Sequence, residues 1–340
     1  MGFAALWKGL LVLAAFAGGL GILAGFFGAR VHPFDSVAHF RLLLSIALVL
    51  LAFVALGTRA WLAMGVALGF AGLGFAFTLP WLLPGRAQPA REGQPSYTLL
   101  QMNLRYDAAD KAGALRRIGE ARPDVVTLQE VTDEWRETFG LLAETYPFQT
   151  YCGLKEDRDG IAILSRRPFV GEALCQPRNG RVTQGVDLNG RVLAVTSLHL
   201  DWPWPRHQWR QIRGIGDTLR RADGPSLLGG DFNAAPWSAA VGTVAENNGL
   251  RVVGGIGPTW LTMRFSELWP RWLGLPLDQL LASSDVIVDE VHVLERTSSD
   301  HLPVLLRFSL ASKVPATTPE SQPPATASAQ ADRSASPGSA

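Results

Sequence analysis

Residues 226–233 read SLLGGDFN. An apolar run that closes on Gly229-Gly230-Asp231-Phe232-Asn233 is a buried strand ending in turn-forming residues, with an acid and an amide where the chain leaves the sheet. The pattern recurs on either side of it. YTLLQMNL (97–104) closes on Asn103, DVVTLQEV (124–131) on Glu130 and RVLAVTSLHL (191–200) on His199, while Asp300 and His301 precede a further run at 302–310. Strands are also predicted at 160–165 and 286–294, and helices at 107–121, 132–146, 206–221 and 237–248. The stretch from 97 to 310 is thus a mixed α and β domain.

Taken singly, GGDFN reads equally well as a tight turn and Ser299-Asp300 as a cap. Together, three acids, two amides and two histidines at the ends of apolar strands would be desolvated without return unless they meet at a shared ion or substrate. Oxygen donors with almost no sulfur favour magnesium, manganese or calcium over zinc.

Composition locates a second region. The chain has 340 residues, 47% hydrophobic and only 18% charged, with a mean hydropathy of +0.13 and a net charge of +1. Residues 1–85 contain five charges, Lys8, Arg30, Asp35, Arg41 and Arg59, whereas residues 92–310 carry 23 Lys plus Arg against 27 Asp plus Glu, a net −4. That acidic body weighs against indiscriminate nucleic-acid binding. Cys152 and Cys175 have no C-x-x-C spacing, which excludes a disulfide scaffold and a cysteine zinc site.

Three apolar runs, 9–27, 42–57 and 60–83, predict three transmembrane helices within residues 1–85. Gly18, Gly19, Gly21 and Gly25 in the first run, and Gly65, Gly69, Gly72 and Gly74 in the third, suit close helix packing in lipid. Glycine is also simply common in such helices. The expected location is a multi-pass cell membrane protein, and the Lys and Arg count favours a cytoplasmic position for the domain at 97–310. Residues 86–96 read as a Pro/Gly-rich linker, and 311–340, rich in Ala, Pro, Ser and Thr, as a disordered tail.

Gln101-Met102-Asn103, Leu128-Gln129-Glu130, Ser197-Leu198-His199, GGDFN at 229–233, Thr259-Trp260, Leu277-Asp278 and Ser299-Asp300-His301 resemble, in order and approximate spacing, the motifs of the endonuclease/exonuclease/phosphatase superfamily. The resemblance covers residues 97–310. It implies an α+β fold, a four-layered α/β/β/α sandwich, here preceded by the three transmembrane helices. It further implies metal-dependent hydrolysis of phosphate esters with Mg²⁺ or Mn²⁺. By resemblance, Glu130 ligates the metal, with Asn103 beside it and Asp300 on the metal side. Asp231 aligns and deprotonates the attacking water, and Asn233 holds the scissile phosphate. His301, oriented by Asp278, and His199 donate hydrogen bonds to phosphoryl oxygens. Gln279 and Ser197 depart from the family pattern beside the two histidines without removing a catalytic group.

Lipid-directed members of that family work at a bilayer, and this domain follows a predicted anchor. Trp260, Phe265, Trp269 and Trp272, interleaved with Arg264 and Arg271, suit an interfacial loop or, equally, packing against the sandwich. The expected partners are a lipid bilayer and a phosphate-ester substrate, with a phospholipid or related phosphodiester preferred. Alternatives are a nuclease acting on DNA or RNA and a catalytically silent, membrane-tethered binding module.

Overall fold

A computed structural model describes residues 2–83, 94–154, 159–216, 224–261 and 271–311. The linker expected at 86–96 lies mostly outside these residues, as do all but the first residue of the tail and the residues Arg264, Phe265 and Trp269.

Two six-stranded sheets form the centre of the catalytic region. The first is ordered β11-β12-β1-β2-β4-β3, with β1 (Ser96–Asn103), β2 (Val125–Gln129), β3 (Phe148–Cys152), β4 (Ile161–Ser165), β11 (Val286–Val293) and β12 (Val304–Leu310). The second is ordered β5-β6-β7-β8-β10-β9, with β5 (Phe169–Gln176), β6 (Arg181–Asp187), β7 (Val192–His199), β8 (Ser226–Asp231), β9 (Arg251–Val252) and β10 (Asp278–Ala282). Only β1–β2 and β7–β8 pair in parallel. Central strands are covered on both faces and therefore read as near-continuous apolar runs; every residue of VVTLQ in β2 and of IAILS in β4 is buried.

Alternation along each strand sorts side chains into two kinds of layer. Leu99, Val125, Ile163, Val195, Leu227, Leu280 and Val304 meet between the sheets. Leu100, Met102, Val126, Leu128 and Leu164 point the other way, onto Ile118 of α5 (Ala112–Ala121) and Trp135 and Phe139 of α6 (Asp133–Phe139). Leu198, Leu228 and Leu281 pack outward on Ile212 of α7 (Gln208–Ile215) and on Val241 and Val244 of α8 (Ala239–Asn247). Helix, sheet, sheet and helix make the four-layered sandwich. One bridge, Cys152–Cys175, links the end of β3 to β5 across the two sheets, with Cα atoms 5.5 Å apart. The motif-based exclusion of a disulfide scaffold did not foresee this pairing, because two cysteines 23 residues apart become neighbours only when the sheets stack.

The N-terminal region is helical: α1 (Gly2–Ala24) continued by a 3₁₀ turn to Phe27, α2 (His32–Ala38), α3 (Arg41–Gly57) and α4 (Trp61–Leu82). Gly2–Phe27 and Trp61–Leu82 are long and apolar enough to cross a membrane. The 17-residue α3 joins α2 as a pair bent by 60°, which makes a third span if the pair is counted as one. In α4 the packing stripe is Ala63, Ala67, Ala71, Gly74 and Thr78. A methyl on Gly74 would collide with Ser45 and one on Gly19 with Phe70, whereas Gly65, Gly69 and Gly72 have open space beside them. Alanine, more than glycine, makes the close approach in α4.

Candidate active site

Strand register assembles the site. His199 lies opposite Asp231 on the parallel pair β7–β8, and Asp231 lies opposite Asp278 on the antiparallel pair β8–β10. Inner-face positions follow a period of two: 195, 197, 199 on β7 and 227, 229, 231 on β8. The polar residue that ends each run therefore points into the crevice between the sheets. On the facing sheet Asn103 lies opposite Gln129, and Glu130 is the next residue.

Asn103 joins the two halves. Its Nδ2 donates to Glu130 Oε1 at 3.0 Å and to Asp231 Oδ2 at 2.9 Å, while its Oδ1 accepts from the Arg105 amide at 2.9 Å. It thus bridges carboxylates from the two sheets. The Tyr106 amide donates to the other Glu130 oxygen at 3.0 Å. Asp231 is buried and accepts from the Asn233 amide at 2.8 Å. His301 Nε2 stands 3.5 Å and His199 Nε2 3.8 Å from Asp231 Oδ2. Asp278 Oδ2 pairs with His301 Nδ1 at 2.8 Å. Asn233 donates to the Leu200 carbonyl at 2.8 Å, which orients its amide on the wall of the cleft.

Asp300 stands at the edge of the site, where its charge adds to those that raise the His301 pKa. Its Oδ2 accepts from Trp260 Nε1 at 2.9 Å, and it belongs to neither metal-competent group among the described residues. Those groups are Glu130 with His199 and Asp231, and Asp231 with Asp278 and His301, each with donor atoms within 4.8 Å of one another. The first fits a hard divalent cation, offering two carboxylates and an imidazole from three different strand ends, with both cysteines tied up in the disulfide.

Burial raises the Asp231 pKa above the ordinary carboxylate range, and the Asp278 charge adds to it against the pull of His301 and His199. For His301 burial alone would lower the pKa. The Asp278 and Asp231 charges and the Asp278 hydrogen bond outweigh it and push the imidazole up to about 10. At neutral pH the site therefore holds a protonated histidine against a proton-seeking carboxylate.

Beneath these groups runs a polar network. Gln101 Nε2 donates to Gln129 Oε1 at 2.6 Å and to Asp278 Oδ1 at 3.1 Å, Gln129 Nε2 donates to Ser197 Oγ at 3.0 Å, and Thr127 Oγ1 donates to Gln101 Oε1 at 2.9 Å. All four residues are buried on inner faces of apolar strands. Their signal in the sequence is a polar residue on the inner face, at 101 two positions before Asn103, at 197 two positions before His199, and at 127 and 129 on the strand that leads to Glu130. Gln279 points outward and donates to the Ala234 carbonyl at 2.9 Å, bracing the loop that carries Asn233. Three non-glycine residues with left-handed backbone cluster here, Arg105 (φ 60°), Glu130 (φ 57°) and Asn233 (φ 47°). Each such residue costs on the order of 1–3 kcal/mol, and the surrounding hydrogen bonds hold it in place.

A cleft of about 660 Å³ opens over Glu130, His199 and Asn233, walled by Trp202, Arg206, His207 and Arg210. Arg210 reaches the cleft exposed, Arg105 pairs with Asp107 at 2.7 Å, and Gln211, also on the cleft wall, accepts from the Asp201 amide at 2.6 Å. In the aromatic segment, Trp260 joins the site and meets Trp202 edge-on with centroids 5.8 Å apart. Trp272 is exposed, and Arg271 is spent on the Pro258 and Ile256 carbonyls.

The same fold occurs in Danio rerio TDP2 complexed with a single-strand DNA product, at 20% identity and TM-score 0.52, the match covering 63% of this chain and 99% of that one. It occurs too in the human Nocturnin catalytic domain, at 19% identity and TM-score 0.50, covering 66% and 99%. An endonuclease/exonuclease/phosphatase from Beutenbergia cavernae matches at 22% identity and TM-score 0.50, covering 64% and 72%. Comparison with curated protein sequences finds no match. The model of the endonuclease/exonuclease/phosphatase family matches residues 100–301, which takes in every site residue named above. With the crevice between two stacked sheets closed by these carboxylates and imidazoles, the chain belongs to that family of metal-dependent phosphate-ester hydrolases.

Proposed function

We propose that the protein is a membrane-anchored, Mg²⁺-dependent phosphodiesterase whose substrate is a phospholipid or a related phosphodiester. The observation that carries the lipid reading is that one wall of the cleft rests on α2, the helix between the first two apolar spans. Ser36 Oγ donates to the Trp204 carbonyl at 3.4 Å and the His32 ring stacks on Trp209 with centroids 4.6 Å apart. Phe34 and Phe40 near Ser36 in the chain, and Trp202 and Trp204 on the other side of the contact, are exposed, an aromatic surface suited to a headgroup boundary. The outward faces of the spans carry exposed Leu13, Leu20, Phe53 and Leu62, as lipid contact requires.

Within the cleft, Asp231 takes the proton of the attacking water. Its raised pKa makes it a stronger base than a free carboxylate. His301, kept protonated by Asp278, donates toward the phosphoryl oxygens as negative charge builds. His199 supports the same charge from β7, and Asn103 holds the Glu130 and Asp231 carboxylates in register. Glu130 would hold Mg²⁺, which when bound supplies Lewis-acid stabilisation of the phosphate and leaves Asp231 and His199 to the water and the phosphoryl oxygens.

The disulfide also bears on sidedness. Such bridges persist in oxidising compartments, so Cys152–Cys175 supports a catalytic domain outside the cytoplasm, against the Lys and Arg count. Hydrolysis of bis-p-nitrophenyl phosphate, sphingomyelin, phosphoinositides and DNA by the full-length protein with Mg²⁺ tests the function. Lipid phosphodiester cleavage should dominate and vanish in EDTA, and Asp231→Ala should lower the rate by about 10²–10⁴-fold. Preferential cleavage of DNA would replace the lipid reading with a nuclease, and undiminished activity in EDTA would overturn the metal mechanism.

A further inference from the structure

Asp35 is the one acid among residues 1–85, and its side chain is fully buried. Its partners lie in the catalytic domain: Oδ1 accepts from the Ala239 amide at 2.7 Å and Oδ2 from the Ala240 amide at 3.0 Å. These are the first two N–H groups of α8, which have no acceptor within their own helix. Ser238 caps the next, accepting from the Val241 amide at 3.2 Å. A helix start in the catalytic domain is therefore completed by a carboxylate 204 residues away, on α2 of the anchor.

Other contacts converge on the same seat. Trp237 Nε1 donates to the Ala38 carbonyl at 2.7 Å, and the Gly255 amide to the Trp81 carbonyl at the end of α4 at 2.8 Å. Room for the carboxylate is made by Gly28, where an added Cβ would lie 2.7 Å from Asp35 Oδ1. Residues 237–240 directly follow the loop that carries Asp231 and Asn233, and residues 204 and 209, which touch α2, lie within the stretch that walls the cleft. Helix α2 thus meets the domain beside both edges of the active site, with the Asp35 carboxylate at one of them and Ser36 and His32 at the other. Two charge-assisted hydrogen bonds to a helix N-terminus are a strong and directional attachment.

We infer that Asp35 is a positioning residue that seats the catalytic domain on its anchor, so that the cleft meets substrate held in the same membrane. This rests on the lipid reading above. A seat that only adds stability would affect all substrates alike; one that orients the cleft separates membrane-held from soluble substrates.

The test uses the full-length protein in proteoliposomes containing a cleavable phospholipid, with bis-p-nitrophenyl phosphate as soluble substrate. Asp35→Ala should lower the ratio of lipid to soluble turnover by about tenfold or more, mainly through a rise in the interfacial KM. Asp35→Asn, which keeps one acceptor oxygen, should fall between, and Trp237→Phe, which loses only the indole donor, should shift the ratio the same way. Disulfide trapping in a Ser36→Cys/Trp204→Cys protein reads the seat without any substrate, and Asp35→Ala should reduce its yield severalfold. Equal loss on both substrates, an unchanged ratio in Asp35→Ala and Trp237→Phe, or undiminished trapping would overturn the inference. If the wild type cleaves the soluble diester and spares lipid, the lipid reading fails and trapping alone decides whether Asp35 seats the domain.

Discussion

His301 shows how opposing effects are resolved at one residue. Burial penalises its charge, but the Asp278, Asp231 and Asp300 carboxylates and one hydrogen bond outweigh burial and push its pKa from 6.5 up to about 10. A group with a raised folded pKa favours the folded state when protonated, so its contribution is fully present below about pH 6.5 and is lost as pH rises through about 10. In EDTA, where the protein's own charges act alone, the melting temperature should fall between pH 7 and 10 more steeply for the wild type than for His301→Gln. Equal slopes in thermal melts would show that another group governs that window. The residue types at 199, 231, 278 and 301 were legible from the chain. The protonation pattern was not, because it depends on distances of 2.8 to 3.8 Å set by four separate segments. The same holds for Asn103 and Asp300, whose hydrogen bonds to Asp231 and to Trp260 depend on which neighbours the fold delivers.

Elements place these groups by register, and register depends on close backbone approach. At Gly230 an added Cβ would sit 2.1 Å from the Leu198 carbonyl oxygen on the neighbouring strand. Gly230→Ala must therefore push β8 away from β7 and should cost about 2 kcal/mol or more in urea unfolding, with loss of activity as Asp231 and His199 separate. A variant as stable and active as the wild type would show that the pair tolerates the shift. Core strands covered on both faces, such as β1, β2, β4, β7 and β8, were legible as apolar runs. Strands β3, β5 and β6 were not: FVGEALCQ of β5 is half exposed, and RVTQGVD of β6 mixes polar with apolar positions. Helix α2 also escaped notice, since seven residues containing a proline carry too few turns for a periodic signal.

At the scale of the whole molecule, the N-terminal helices and the sandwich are joined by Asp35, Trp237 and the end of α4, and the two sheets are pinned by Cys152–Cys175. If the catalytic domain lies outside the cytoplasm, protein from intact membranes should take up no alkylating reagent at either cysteine before reduction and two equivalents after it, read by mass spectrometry. Free thiols would return the domain to the cytoplasmic side indicated by the Lys and Arg count. The chain by itself determined an apolar first quarter and a polar remainder, the class of the sandwich and the chemistry of its strand ends, because burial periodicity and side-chain type are local properties. Only the tertiary structure decided that Asn103 bridges two carboxylates, that the cysteines bond, and that an acid from the N-terminal helices completes a helix in the catalytic domain. Each of these depends on segments from about 20 to 200 residues apart meeting within hydrogen-bond or bonding distance, and loop closure over such spans leaves no local trace.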